Sequence, residues 1–142
     1  MHHIAIMNPK IGLIDKIISG MKKIESRWYK HKRAPWNKIA VGDIVYFKNS
    51  GKPVTASAEV ERVMQFELDN ENLREIIEKY GGDGGISLND RNPNSDYYKG
   101  KKYCILVFIK NPRKITPFNI DKKGFGAGSA WLFVEDINKI KK

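Results

Sequence analysis

The sequence predicts a single α+β domain, residues 1–142, built as a mixed β-barrel with two or more helices packed outside it. Three observations lead there. Short strand-like runs at 3–8, 22–28, 44–47, 54–63, 103–109 and 131–134 recur along the chain, separated by turn signals. Two other segments, 10–19 and 70–80, repeat apolar residues at helical spacing. The chain has 142 residues, 41% hydrophobic and 30% charged. That is a globular composition, at a size where one domain buries about two-thirds of its unfolded surface.

Taken in order, residues 3–8 alternate loosely as a first strand, into which Met1 and His2 lead. Pro9 suits the start of a helix, and Ile11, Ile14, Ile17 and Ile18 fall on one face of it. Gly20 ends that helix, because glycine adopts the left-handed conformation at little cost. In the strand that follows, side chains alternate faces. Lys23, Glu25 and Arg27 therefore share one side, and Ile24, Ser26 and Trp28 the other. Residues 29–36 are basic and aromatic without a period, and read as a loop. Gly42 and Asp43 turn into the strand Ile44, Val45, Tyr46, Phe47; residues 49–52 form a hairpin turn; the return strand runs from Val54 to about Val63. Asp69 or Asn70 caps the second helix, whose apolar face is Leu73, Ile76, Ile77 and Tyr80. Glycines at 81–85 end it and open a long polar loop through Gly100, which Tyr97 and Tyr98 anchor. No strand precedes those glycines and their order is wrong for a dinucleotide fingerprint. The run 103–109 is the most apolar strand and belongs centrally, while Pro112, Pro117 and Phe118 mark an irregular or edge segment. The small, glycine-rich segment 124–129 permits close approach to a ligand or a neighbouring strand. Residues 131–134 close the barrel and 134–140 form a polar end turn. No internal repeat occurs.

Net charge is +10, from 26 Lys+Arg against 16 Asp+Glu. Such an excess points to a polyanionic partner, RNA or DNA first. Solubility is the competing account, and Lys139, Lys141 and Lys142 read as an ordinary solvated tail. No apolar run approaches the ~20 residues of a membrane helix and no secretory signal opens the chain, so no membrane role is expected. The single cysteine, Cys104, excludes an internal disulfide and a cysteine-rich zinc site. Lying in the most apolar strand, it reads as a buried structural thiol, and the default compartment is the cytoplasm. His2, His3 and His31 are not at ligand spacing with carboxylates, so neither metal nor cofactor is expected.

Gly20, Lys22, Ile24, Glu25 and Arg27 follow the spacing Gly-x-Lys-x-Ile-Glu-x-Arg. Pro35 and Trp36 come next, then 41–47 (VGDIVYF), 56–60 (ASAEV) and 126–131 (GAGSAW). In that order the pieces resemble the ASCH domain (activating-signal-cointegrator homology) of the PUA-like superfamily of small β-barrels, over nearly the whole chain. The resemblance implies a PUA-like barrel and nucleic-acid binding, which most members are assigned by inference. Some small bacterial ASCH proteins are similar to amidohydrolases acting on acylated cytidine through a lysine and a threonine of this motif. The lysine is present as Lys22. The threonine position holds Glu25, which is no hydroxyl nucleophile, and Ser26, one step along the strand, faces the other way. The catalytic candidates are thus Lys22, Glu25 and Ser26.

For Glu25, set among Lys22, Lys23 and Arg27, the alternatives are a general base and an ion pair at the barrel mouth that orients Arg27. The ion pair is the expectation. Lys22, Arg27 and Arg33 would grip one or two phosphates, arginine in bidentate fashion, with Lys23 and Lys32 adding charge. Trp28, Tyr29, Trp36 or Trp131 would stack a base, a contact worth ~1–3 kcal/mol per base, beside Ser129 of the glycine-rich segment. Taken singly, each tryptophan reads as core before contact, Trp36 as a plug at the barrel end. The function expected is binding of RNA or a nucleotide, in RNA metabolism or the regulation of translation or transcription. The alternatives are a hydrolase acting on a modified nucleoside or, ribonuclease-like, on RNA, and an interaction module docking an acidic protein.

Overall fold

The computed structural model describes residues 1–82, 85, 92–126 and 128–142. Part of the predicted glycine-rich and polar loop (83, 84 and 86–91) and Ala127 lie outside the described residues. The elements are β1 (His2–Met7), a 3-10 turn (Pro9–Ile11), α1 (Leu13–Ile18), β2 (Ile24–Tyr29), β3 (Ile44–Asn49) and β4 (Val54–Glu67). There follow α2 (Asn70–Tyr80), a 3-10 turn (Asp96–Tyr98), β5 (Tyr103–Phe118), β6 (Trp131–Val134) and a last 3-10 turn (Ile137–Lys139).

The strands form one mixed sheet, ordered β2-β5-β4-β3-β1-β6, that curls into a half-barrel. β1 and β3 are parallel; the other pairs are antiparallel. Among the described residues backbone pairing does not close the ring, because β6 pairs with β1 and leaves β2 and β6 as the two edges. β5 runs well past the predicted end at 109 and stays paired with β4 as far as Phe118. β2 covers β5 only from Tyr103 to Phe108. Pro112 and Pro117 fall beyond that, on a free edge where a missing N–H breaks no second ladder.

Alternation sorts the core. Ala5, Val45, Phe47, Ile105, Val107 and Trp131 share the inner face with Ile14 and Ile17 of α1. Ile24, Trp28, Cys104 and Leu106 lie on the outer face under Ile76 and Ile77 of α2. Ile4, Val54 and Leu132 pack against the C-terminal segment through Ile120 and Ile137. Each Val, Leu, Ile or Phe among them contributes roughly 1.5–3 kcal/mol when fully buried.

The helices differ from expectation in one respect. α2 has the predicted bounds, with Asp69 as cap accepting from Glu71 and Asn72. The predicted helix over 10–19 is two pieces, because Gly12 takes φ 67° and separates the 3-10 turn from a six-residue α1. That break takes Ile11 off the buried face. The shortened α1 packs over the inner face of the half-barrel through Ile14 and Ile17.

Candidate functional site

Gly20 terminates α1 with φ 80°, its N–H donating to Ile17 O at 3.0 Å. The amide of Lys22 then donates to Lys16 O at 2.9 Å, so the chain doubles back before β2 starts at Ile24. This hairpin turns Lys22 inward. Its side chain is 3% exposed, and its Nζ donates to Ile24 O and lies 3.8 Å from Glu25 Oε2. Glu25 and Arg27 share the inner face of β2 as predicted, with Glu25 Oε1 3.2 Å from Arg27 Nε. Burial pulls the Lys22 ammonium below the usual lysine range, against the opposing pull of Glu25.

Arg27 reaches across to the other edge of the sheet. Its guanidinium donates to Ala130 O at 3.2 Å and Ile6 O at 3.4 Å, and its carbon sits 5.1 Å from the centre of the Trp131 ring. A cation over tryptophan is the most favourable case of that contact. The Trp131 indole in turn donates to His3 Nδ1 at 3.1 Å. His3 Nε2 then donates to Asp43 Oδ2 at 2.8 Å. A continuous string of polar groups, Lys22–Glu25–Arg27–Trp131–His3–Asp43, therefore crosses the interior. The sequence expectation placed Lys22, Glu25 and Arg27 at the mouth of a cleft; they lie beneath it and tie its floor together.

The cleft itself has a volume of about 360 Å³ and opens above Trp131. Tyr29 and Arg33 form one wall; Phe125, Ser129 and Phe133 form the other. Tyr29 is fixed by donating to Ala34 O at 3.0 Å, and burial raises its pKa. Ser129 is fixed by donating to Phe125 O at 2.6 Å. Gly124, Gly126 and Gly128 have φ of 93°, 83° and 80°, so the opposite wall needs glycine to turn as it does. A second depression, of about 390 Å³, lies at the start of α2 between Asp69, Asp96, Lys99 and Lys101. Its charges are mixed, and the amides of that helix start are already taken by Asp69.

Of the candidates, the structure gathers Tyr29, Arg33, Ser129 and Trp131 around the cleft, over Lys22, Glu25 and Arg27. Lys32 lies 5.8 Å over the Tyr103 ring, and Trp36 packs edge-on to the same ring at 5.0 Å. Three stand apart. Lys23 precedes β2 and is exposed, so it does not share the face of Glu25 and Arg27. Trp28 is buried on the outer face against Tyr98, and its indole donates to Ser26 Oγ at 3.1 Å. Neither Ser26 nor Trp28 can reach a ligand in the cleft. The sequence reading missed Phe125 and Phe133, whose signal is one aromatic residue within the glycine-rich segment and one shortly after it, and His3. Tyr98 anchors its loop as expected, whereas Tyr97 remains 52% exposed.

Among solved structures, the chain is similar to a Tyr→Phe variant of the ASCH protein from Zymomonas mobilis, with a TM-score of 0.69 and 19% identity. That match covers 97% of this chain and 93% of the other. This is the fold of an ASCH domain. The unmutated Zymomonas mobilis ASCH protein matches with a TM-score of 0.67 and 19% identity, covering 94% of this chain and 87% of that one. The hypothetical protein PH0355 matches at 0.50 and 21% identity, over 81% of this chain and 100% of its own. No protein-family model and no curated protein sequence matches the chain. In this chain β2 and β6 are the two edges of the sheet, and the Arg27–Trp131 contact joins them.

Proposed function

We propose that this ASCH-fold protein binds single-stranded RNA or a nucleotide in the cleft above Trp131. The observation that carries the reading is the pairing of Arg33 with the rings of Tyr29, Phe125 and Phe133 around a 360 Å³ cleft, on a chain of net charge +10. Aromatic faces accept any base, and an arginine beside them meets the phosphate. The buried Glu25–Arg27 pair holds the floor rigid from beneath, and of that assembly Trp131 alone lines the cleft. Among the described residues no helix is long and apolar enough to cross a membrane. Cys104 is a buried free thiol whose pKa burial raises far out of the reactive range, in keeping with a reducing compartment, and we place the protein in the cytoplasm.

The test is a tryptophan-fluorescence titration with short single-stranded RNAs at low salt. Wild type should bind with a log–log salt slope of roughly −1.5 to −3, as expected for two to four phosphate contacts at ~0.7 each. Arg33→Ala should reduce the magnitude of that slope by ~0.7 while the protein stays folded, since Arg33 is exposed. An unchanged slope in the variant would remove Arg33 from the site.

A further inference from the structure

Lys48, near the end of β3, sits where a lysine is costly. It is 7% exposed, yet among the described residues no carboxylate and no hydrogen-bond acceptor holds it. Its register partners Ile6 and Val54 are both apolar. The strand is irregular between Phe47 and Lys48, and an irregularity of that kind re-aims the side chain that follows it. The charge that acts on Lys48 is another cation, Lys122. Burial, and after it Lys122, pulls the Lys48 ammonium below the usual lysine range. A lysine held on a buried stem, with a second cation as its charged neighbour, is a group that an anion would satisfy. The ammonium is not sealed in, since it is not among the buried polar atoms without a partner.

The position relates this pair to the cleft. Ile6 and Val54 belong to the same cluster as Leu132 and Phe125, and those two residues also wall the cleft. Lys122 and Phe125 stand at the two ends of one turn, closed by the Phe125 amide donating to Lys122 O at 3.2 Å. We propose that Lys48 and Lys122 form a phosphate-binding point beside the cleft, taking the backbone of an RNA strand whose base the cleft holds. This rests on the nucleic-acid reading above. A phosphate suits the pair because its oxygens face several directions and meet two ammonium groups at once, each acting as a point charge. It also gives the strand a direction, out of the cleft over Phe125 and toward β3.

The experiment compares a single-stranded uridine dinucleotide with an octanucleotide across a salt series. With the octanucleotide, Lys48→Met and Lys122→Ala should each reduce the magnitude of the log–log slope, and the two together by ~0.7, the share of the one phosphate they hold. Affinity for the dinucleotide, which does not reach beyond the cleft, should stay unchanged in both. Lys79→Ala, at an exposed lysine on α2, should move neither. Lys122→Ala carries the test by itself if Lys48→Met disturbs the fold. Retention of the wild-type slope in both lysine variants, with the octanucleotide bound, would overturn the phosphate point alone. Failure of the wild type to bind either RNA at low salt would overturn the functional reading and this inference with it.

Discussion

His3 is fully buried, and its chemistry is fixed by a neighbour. An indole N–H can only donate, so the 3.1 Å contact from Trp131 makes His3 Nδ1 the acceptor and leaves the ring proton on Nε2, facing Asp43. Protonating His3 would set a second N–H against the indole. Burial lowers the His3 pKa from 6.5, against the raising effect of Asp43. For Asp43, burial works upward, but the hydrogen bonds from His3 and the Ala40 amide outweigh it and hold the carboxyl below 3.8. Both folded-state pKa values are depressed, so the unfolded chain binds more protons as the medium acidifies. The stability from His3 is fully present above pH 6.5 and falls away as pH drops through its lowered pKa. Asp43 adds a further loss below 3.8. The urea midpoint should therefore fall between pH 7.5 and 5.5, and His3→Gln should flatten that limb; equal midpoints in the wild type at the two pH values would refute the assignment. Period-two alternation puts His3 on the face of Ala5, so its burial follows from the sequence. Its partners lie 40 and 128 residues away, and no local pattern finds them.

Between elements, the decisive contact is the one that Arg27 makes across the seam of the sheet. β2 and β6 are opposite edges with no shared ladder, and Arg27 joins them through Ala130 O, Ile6 O and the Trp131 ring. Removing it leaves the Glu25 carboxylate with Lys22 alone, 3.8 Å from an Oε2 that is buried without a hydrogen bond. Arg27→Ala should accordingly cost about 3–5 kcal/mol in urea unfolding, the usual cost of breaking a buried ion pair from one side. A loss under ~1 kcal/mol would mean that water reaches the pair and that it behaves like a surface salt bridge. The faces of β2 were legible from alternation: Ile24 and Trp28 went outward, Glu25 and Arg27 inward. The exchange of Lys23 for Lys22 was not, because both precede the strand and the turn after Gly20 sets their direction. α2 was legible from its cap and its spacing, and α1 was mistaken as continuous because Gly12 resembles a tolerated helical glycine until its positive φ is seen.

At the scale of the whole molecule, the order of short motifs carried the fold, and the match to ASCH structures over 97% of the chain agrees with it. The cleft was half legible. Tyr29, Arg33, Ser129 and Trp131 were candidates on residue type, but only the curl of the sheet sets the 29–34 wall against the 124–133 wall. Charge was the least informative signal, because a net +10 spread over many lysines does not say which of them face a ligand. Backbone amide shifts in an NMR titration with single-stranded RNA at low salt test the central claim most directly. The account predicts that the largest changes fall on Arg33, Gly124, Phe125, Ser129 and the Trp131 indole, while Ile76 and Lys79 of α2 stay still. Changes concentrated instead around Asp69, Asp96 and Lys99, at the depression beside α2, would contradict it.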